Sequence, residues 1–358
     1  MTENIEIERR DSSKVIRNKP APACLLCGAG GTPLYKGLKD RLFGASGNWT
    51  LKRCVNVQCG LAWLDPIPLE ADIWKAYDQY FTHEMPTDSD PHTSPPRRRV
   101  ADLCRSAYLA HRFGWGDGKG RPFRWLLALP IVLSRIECDS LDIPLRYLAI
   151  NTKGRMLDVG CGDGRFLKMS ESLGWKAEGV ELDLGAVTTT RRKGFAVHYG
   201  TLSDQHYPDS TFDLVLLSHV IEHLCEPTDT IAEIYRILRP GGKMIVTTPN
   251  IESWGHRYFG SSWVALDPPR HLYLFNYKNL HLLADKAGFS HRATFGTLNT
   301  TPFNFIQSRR IIHEGRGDLG RPANRREVIY GRAGSIIEIL GRALTPRAAD
   351  ELLLEASK

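Results

Sequence analysis

Short apolar runs separated by polar turns dominate the second half of the chain. The runs at residues 155–159 and 211–218 are mostly apolar, as expected for strands that are buried on both faces of a sheet, and a further strand is predicted at 177–181. Before a further run at 243–250, apolar residues recur with helical spacing at Ile231, Ile234, Tyr235 and Leu238. Strands that alternate with helices indicate an α/β domain built on a mostly parallel sheet.

The first of these strands leads into a turn with glycine at positions 160, 162 and 164. Glycine adopts positive φ without strain and leaves room for a ligand, and the amides of the following helix favour an anionic group. The dinucleotide pattern G-x-G-x-x-G would place its third glycine at position 165, where this chain has Arg165. The next strand ends in Glu181, which is suitably placed to accept hydrogen bonds from two ribose hydroxyls. The turn therefore predicts a nucleotide-like ligand, with a spacing that departs from the dinucleotide pattern.

Four motifs follow one another in the order of a known enzyme family. They are Leu-Asp-Val-Gly-Cys-Gly-Asp-Gly at 157–164, Val-Glu at 180–181, Phe-Asp at 212–213 and Leu-Arg-Pro-Gly-Gly-Lys at 238–243. This succession resembles the class I S-adenosylmethionine (SAM)-dependent methyltransferases over roughly residues 153–295. The resemblance implies an α/β, Rossmann-like, seven-stranded fold, with a sixth strand at 289–301 and a seventh, antiparallel strand at 352–355.

The resemblance also implies how SAM would be bound. Asp158 would contact the methionine amino group, and Glu181 would take the ribose hydroxyls. Thr201 and Leu202 would lie along the adenine. Ser218 and His219 would lie beneath the methionine. The full set of expected cofactor-binding residues is Asp158, Gly160, Gly162, Glu181, Leu182, Thr201, Leu202, Ser218 and His219.

Methyl transfer to a hydroxyl group requires a proton acceptor, and two histidines are candidates. Residues 219–223 spell H-x-x-E-H, a pattern of helical metal sites. The segment follows the fourth strand, where methyltransferases bind cofactor and substrate, so we favour His223 as a general base over a metal site. His271 is the second candidate.

His271 lies in an aromatic, proline-rich stretch at 254–273, which we expect to form the wall of the acceptor site. Arg270 would bind an anion there. The alternative is that residues 268–271 only shape a turn with a capped histidine. The expected acceptor-binding residues are Arg270, Trp254, Trp263 and Tyr273.

The chain has eight cysteines, and four of them form a candidate metal site. Cys24 and Cys27 form one knuckle, Cys54 and Cys59 form a second, and the segment between them is long enough for a β-hairpin. In a cytoplasmic chain this arrangement favours a structural, tetrahedral Zn²⁺ over disulfides, with four reduced thiols as the alternative. Cys104, Cys138, Cys161 and Cys225 lack partner spacing and are expected to be ordinary buried thiols.

The net charge of +7 is unevenly distributed. Residues 97–155 contain twelve Lys and Arg against five Asp and Glu, an excess equal to that of the whole chain. Such a patch favours an acidic partner: a nucleotide-linked or phosphorylated substrate, nucleic acid or an anionic membrane surface. A solvated face is the alternative, and nucleic acid is the less favoured partner.

The chain has 358 residues, enough for about two folded units. We expect a flexible leader at 1–20, a zinc ribbon at 21–67, a helical, basic linker and lid at 68–152 and the methyltransferase domain at 153–358. The N-terminus has no signal peptide, which predicts a cytoplasmic protein. The apolar run at 125–136 is too short to span a bilayer. A packed helix is favoured for it, with contact to a membrane surface as the alternative.

This organisation resembles a bacterial subfamily of methyltransferases found with surface-polysaccharide and sugar-modification pathways. The resemblance implies O-methylation of a small polar acceptor, such as a sugar nucleotide or glycan, that is anionic. Two alternatives stay open: an RNA methyltransferase that uses the cysteine module and the basic segment, and a non-catalytic SAM-binding adaptor. The oligomeric state is not predicted.

Overall fold

The computed structural model describes residues 14–77, 96–113, 124–133, 138, 141, 154–345 and 347–358. The N-terminal part begins with five short strands: β1 (Asn18–Lys19), β2 (Gly31–Leu38), β3 (Trp49–Cys54), β4 (Ala62–Leu64) and β5 (Ile67–Pro68). Helix α1 (Glu70–Ile73) and a 3-10 turn at Trp74–Tyr77 follow. Of the helical, basic linker and lid expected at 68–152, the first helical part thus ends at residue 77 within the described residues, and residues 78–95 lie outside them.

Residues 14–20 belong to the folded N-terminal part. Strand β1 pairs antiparallel with β5, with Asn18 opposite Pro68. The Arg17 guanidinium binds the buried Asp72 carboxylate at 2.7 Å. The expectation of a flexible leader is thus wrong for residues 14–20, because backbone pairing and an ion pair fix them. Residues 1–13 lie outside the described residues.

The basic segment contributes two helices, α2 (Pro96–Phe113) and α3 (Leu129–Val132), with a 3-10 turn at Arg124–Ala128 before the second. They pack on one another through a small apolar cluster that includes Ala107, Tyr108 and Ile131. The remaining parts of this segment lie mostly outside the described residues. Among the helices that the structure describes, none combines the length and the apolar character that crossing a bilayer requires.

The second half of the chain alternates strands and helices. In chain order its elements are β6 (Arg155–Val159), α4 (Arg165–Ser172), β7 (Lys176–Glu181), α5 (Leu184–Arg192), β8 (Ala196–Tyr199), β9 (Phe212–Ser218), α6 (Pro227–Ile237), β10 (Leu238–Pro249), α7 (Trp254–Phe259), β11 (Tyr273–Leu274), α8 (Tyr277–Ala287), β12 (His291–Thr297), α9 (Thr301–Glu314), α10 (Arg325–Leu344) and β13 (Glu351–Ser357).

The large sheet has the strand order β12-β13-β10-β9-β6-β7-β8. Strands β8, β7, β6, β9 and β10 run parallel, and β13 inserts antiparallel between β10 and β12. Their apolar side chains are buried, as continuous apolar runs require in a sheet covered on both faces. The α/β, Rossmann-like fold is confirmed. The Leu-Arg-Pro-Gly-Gly-Lys motif at 238–243 lies within β10, whose pairing to β9 is interrupted between Leu238 and Lys243.

A second sheet joins the cysteine module to the α/β part. Its order is β11-β4-β3-β2, and Tyr273 of β11 pairs with Trp63 of β4. Strands β2 and β3 form the hairpin expected between the two cysteine knuckles. Side chains from both parts, including Trp63 and Leu274, share one hydrophobic core. The cysteine module is therefore built into the α/β part.

Candidate functional site

The glycine turn after β6 has the backbone conformation that its sequence predicts. Gly160, Gly162 and Gly164 have φ values of 73°, 49° and 75°. A Cβ at Gly160 would lie 2.5 Å from Val220, and one at Gly164 would lie 2.5 Å from Thr190. A Cβ at Gly162 would meet nothing within 4 Å. Packing therefore requires glycine at the two outer positions, whereas Gly162 faces open space in which a ligand fits.

Asp158, at the end of β6, carries a buried oxygen with no partner. Its side chain is 1% exposed, and Oδ2 makes no hydrogen bond to any part of the chain that the structure describes. Burial, together with the nearby Glu181 and Asp163, raises the pKa of Asp158 to about 8. A buried acceptor without a donor is unfavourable unless a ligand or water supplies one. The site thus fits the amino group that Asp158 is predicted to bind.

Glu181 ends β7 beside the same turn. Its Oε2 accepts a hydrogen bond from the Gly162 amide at 2.8 Å, and its Oε1 accepts one from the Asp183 amide at 2.9 Å. Each carboxylate oxygen accepts more than one hydrogen bond, so both remain able to bind ribose hydroxyls. The backbone thereby holds the carboxylate in one orientation at the edge of the turn.

The other predicted cofactor residues lie at the ends of neighbouring strands. Leu182 is exposed and Leu202 is buried. The Thr201 amide donates to Asp204, and Ser218 accepts a hydrogen bond from Thr247 at 3.2 Å. The structure places them along the carboxyl-terminal edge of the sheet, and their contacts with a cofactor stay predictions.

His219 bridges two carboxylates. It has a positive φ of 54°, its Nε2 lies 2.8 Å from Glu351 and its Nδ1 lies 3.4 Å from Glu222. Burial opposes protonation, but the two carboxylates outweigh it and raise the pKa of His219 to about 10. Residues 221–223 form only a 3-10 turn. His219 and His223 therefore do not share a helix face, as the helical form of the H-x-x-E-H pattern requires.

His223 and His271, the two predicted bases, lie side by side, with ring centroids 4.7 Å apart. The Nδ1 of His223 lies 3.0 Å from the carbonyl oxygen of Arg270 and 2.9 Å from the Tyr77 hydroxyl, which can donate or accept. The Nδ1 of His271 lies 2.7 Å from the carbonyl oxygen of Ala265. Because a carbonyl only accepts, a neutral His271 carries its proton on Nδ1 and its lone pair on Nε2.

The environment keeps His223 neutral and Glu222 charged. Burial and the neighbouring His271 lower the pKa of His223 to about 4. Burial also opposes ionisation of Glu222, but its interaction with the His219 ring prevails and lowers its pKa to about 2. One ligand atom from each of Glu222, His223 and His271 lies within 4.8 Å of the others.

The predicted acceptor wall is wrong in its main residue. Arg270 is fully buried, and its guanidinium binds Asp40 at 2.8 Å, Asp267 and the carbonyl of Ala76. All its donors face protein groups, so it does not present an anion clamp to a substrate.

The aromatic residues of the predicted wall also belong largely to the protein interior. Trp263 and Tyr273 are buried in the hydrophobic core. Trp254 is partly buried, and its ring lies against Gly341 of α10. These positions contradict the expected wall for Trp263 and Tyr273, since side chains packed in a core do not line an open site.

The four N-terminal cysteines come together. The Sγ atoms of Cys24 and Cys59 are 3.7 Å apart, and those of Cys27 and Cys54 are 3.4 Å apart. Zn–S bonds of about 2.3 Å in a tetrahedral site place sulfurs about 3.8 Å apart. The four thiols therefore fit one zinc ion, as the knuckle spacing predicts.

Three polar residues at the site could not be identified from the sequence around them. Tyr77 reaches His223, Glu351 reaches His219 and Asp40 reaches Arg270 from positions 146, 132 and 230 residues away. They belong to a 3-10 turn, the last strand and a loop of the cysteine module. Only the tertiary structure brings them to the site.

Comparisons with known proteins agree with the geometry. Residues 133–293 match the family model of a methyltransferase domain. The malonyl-(acyl-carrier protein) O-methyltransferase of Serratia marcescens is 29% identical over 34% of this chain and 48% of its own length. A probable S-adenosylmethionine-dependent methyltransferase of Mycolicibacterium smegmatis is also 29% identical, over 44% of this chain and 61% of its own length.

A SAM-dependent methyltransferase structure from Archaeoglobus fulgidus aligns with 66% of this chain and 100% of its own, at 19% identity and a TM-score of 0.43. The chain spans only about half to three fifths of the length of the two curated relatives. Residues 133–293 are thus similar to a methyltransferase domain, and both curated relatives are named as methyltransferases.

Proposed function

We propose that this protein transfers a methyl group from SAM to a hydroxyl of a small polar acceptor, such as a sugar nucleotide or glycan. The observation that carries the proposal is the unpartnered Oδ2 of Asp158 beside the open face of Gly162. A buried acceptor next to a glycine turn suits a ligand that brings its own cationic donor.

Five residues would hold SAM. Asp158 would accept from the methionine amino group, and Glu181 would accept from the ribose hydroxyls. Gly162 leaves the space that the ligand fills. Thr201 and Leu202 would lie along the adenine. When bound, SAM supplies a methyl group on a sulfonium, and the chain's own task is to align the acceptor and take up its proton.

We propose that the acceptor binds near His223 and His271. These two follow β9 and precede β11, and Val220, in the same segment as His223, packs against Gly160. The cofactor turn and the two imidazoles are thus joined by residues 219–223. His271, through its free Nε2 lone pair, would take the proton of the acceptor hydroxyl, and His223 would orient the acceptor or share the proton.

The acceptor class rests on the resemblance to sugar-modifying methyltransferases and on the positive charge of residues 97–155. Because Arg270 is fully bound within the protein, recognition of an anionic acceptor would fall to this basic segment. We further propose that the four N-terminal cysteines bind a structural zinc ion.

A turnover screen tests the function. The full chain is incubated with SAM and, separately, nucleotide sugars, oligosaccharides and total RNA, and the methylated product is identified by mass spectrometry. Methylation of a sugar hydroxyl is expected. Methylation of RNA alone would support the nucleic-acid alternative, and SAM binding without turnover on any acceptor would support the adaptor.

Substitution tests the proton acceptor. Replacing His271 or His223 with Ala is expected to lower kcat at least ~10²-fold, because a positioned base contributes rate factors of that size. His281→Ala is a matched control, since His281 is only half-buried and bonds to Thr294 outside the cluster. Full activity in both cluster variants would show that the acceptor reacts without a general base.

A further inference from the structure

We infer that Glu222, His223 and His271 form a binding site for one divalent transition-metal ion, distinct from the four-cysteine site. One ligand atom of each lies within 4.8 Å of the other two. Two imidazoles and one carboxylate suit Zn²⁺, Fe²⁺ or Co²⁺, whereas Mg²⁺ and Ca²⁺ prefer oxygen ligands. The H-x-x-E-H segment thus supplies two of the ligands, and His271 replaces His219 as the third.

The two imidazoles have the orientation that metal ligands need. The Nδ1 of each ring lies at hydrogen-bond distance from a backbone carbonyl, His223 from Arg270 at 3.0 Å and His271 from Ala265 at 2.7 Å. A ligating histidine usually donates its second ring nitrogen in this way, which fixes the tautomer and the ring. With Nδ1 bound to the backbone, each ring would offer Nε2 to a cation.

The carboxylate of Glu222 is held from one side and open on the other. It is fully buried, and its Oε2 accepts a hydrogen bond from Thr248 at 2.9 Å. Its Oε1 has no hydrogen bond within the described residues. The closest charge is Nδ1 of His219 at 3.4 Å, and that ring is bound more tightly to Glu351, at 2.8 Å. Oε1 therefore shares the His219 ring with Glu351 and keeps the capacity to bind a further positive partner.

The surrounding charges also favour a cation. Four acids pack around the pair of imidazoles or their supporting loop: Glu222, Glu351, Asp40 and Asp267. The Arg270 guanidinium pairs with Asp40 and Asp267, and the His219 ring lies between Glu351 and Glu222. Acidic groups therefore outnumber basic groups in this largely buried region, which favours a cation.

The distances allow closure around an ion. Metal–ligand bonds of about 2.0–2.2 Å place the ligands of one ion about 3–4 Å apart. Side-chain shifts of about 1 Å or less would bring the three groups from their present spacing to that range. Three protein ligands leave a position for water or for the acceptor hydroxyl.

The inference rests on the proposed function for the position of the acceptor, not for the binding itself. A metal-bound imidazole does not accept a proton, so an occupied site would replace the general base by a Lewis acid that lowers the pKa of a bound hydroxyl. Metal binding is measured without any acceptor, which keeps the two proposals separable.

Cobalt titration of the full chain tests the site. Protein stripped with a chelator is titrated with Co²⁺, and bound metal is counted by mass spectrometry after desalting. Two equivalents per chain are expected: one with the intense near-ultraviolet absorption of thiolate ligation and one with only weak visible bands. Cys27→Ser should lose the first spectrum, and Glu222→Gln and His271→Ala should each lose the second. His281→Ala should keep both.

Glu222→Gln preserves shape, and far-ultraviolet circular dichroism checks that each variant is folded. Only thiolate-type cobalt in the wild type would overturn the inference, as would a second equivalent that persists in folded Glu222→Gln and His271→Ala. Two equivalents without turnover in the acceptor screen would leave the site standing and reject the proposed function. One cobalt equivalent together with turnover would reject the second metal site and leave the proposed function standing.

Discussion

Replacing Arg270 with Met separates a structural role from the anion clamp that its sequence context predicts. The side chain is 0% exposed and binds Asp40 through two nitrogens, each at 2.8 Å. It also binds Asp267 and the carbonyl of Ala76. Met fills a similar volume but offers no donor, so the substitution leaves two carboxylates in the interior without their common cation.

The expected loss of stability follows from that geometry. Removing one partner of a buried ion pair destabilises a protein by about 3–5 kcal/mol, because an uncompensated charge remains. At about 2 °C per kcal/mol for a large chain, the melting temperature should fall by roughly 6–10 °C. Arg270→Lys should be intermediate, since an ammonium group restores the charge but not the planar fork that spans Asp40 and Asp267.

The pH dependence gives a second signature. Burial opposes ionisation of Asp40, but hydrogen bonding and charge from Arg270 prevail and hold its pKa below the usual value. Its contribution to stability is thus complete above the unfolded pKa of about 3.9 and is lost as the pH falls through the lower folded pKa. Without Arg270, burial alone would raise the pKa of Asp40. The stability gap between variant and wild type should therefore narrow in acid.

Thermal unfolding followed by circular dichroism measures the effect, with SAM affinity and the acceptor KM measured on the same preparations. Arg257→Met is the matched control, because Arg257 is exposed on α7, and its melting temperature should change little. An unchanged melting temperature for Arg270→Met together with a raised KM for the acceptor would refute the structural role of Arg270. It would support the predicted role in binding an anionic acceptor.

Further predictions concern the cofactor turn, the interior and the cysteine site. Asp158, whose pKa burial raises to about 8, should make stability fall as the pH rises between the unfolded pKa and that value, by up to about 1.4 kcal/mol per pH unit. Asp158→Asn should flatten this slope in urea unfolding and weaken SAM binding at least ~10-fold by calorimetry. Gly162→Ala should cost only about 1–2 kcal/mol for its positive φ yet weaken SAM binding, since its Cβ would enter the ligand space; unchanged affinity would contradict this placement. Burial and the nearby Asp350 raise the pKa of Glu338 to about 9, so Glu338→Gln should keep or raise the melting temperature at pH 8; a clear fall would contradict the pKa shift. Cys27→Ser should lose one zinc equivalent and raise the acceptor KM, because the module shares a sheet with β11; full zinc content would count against the four-thiol site.

The fold was predictable where a short stretch of sequence indicates the burial or the backbone conformation of its residues. Mostly apolar runs indicate β6 and β9, because a strand covered on both faces has no polar side. The glycine spacing indicates the turn at 160–164, because the backbone there needs positive φ. The antiparallel last strand followed from the family resemblance, since its short apolar run alone does not specify a partner.

The site was predictable only in part. Asp158 and Glu181 stand directly beside the glycine turn, so their position follows from the chain itself. His223 and His271 were chosen as separate candidates, and the structure shows that they form a pair. Arg270 was misassigned, because a lone arginine in a polar loop gives no sign of the distant Asp40 that encloses it.

The sequence alone thus determined the α/β topology, the cofactor turn and the pairing of two cysteine knuckles, since each depends on spacing within one short segment. The tertiary structure decided which polar side chains are buried together: Arg270 with Asp40, His219 with Glu351, and His223 with His271 and Glu222. The physical reason is that desolvation and charge pairing depend on distances in space between residues that are far apart along the chain.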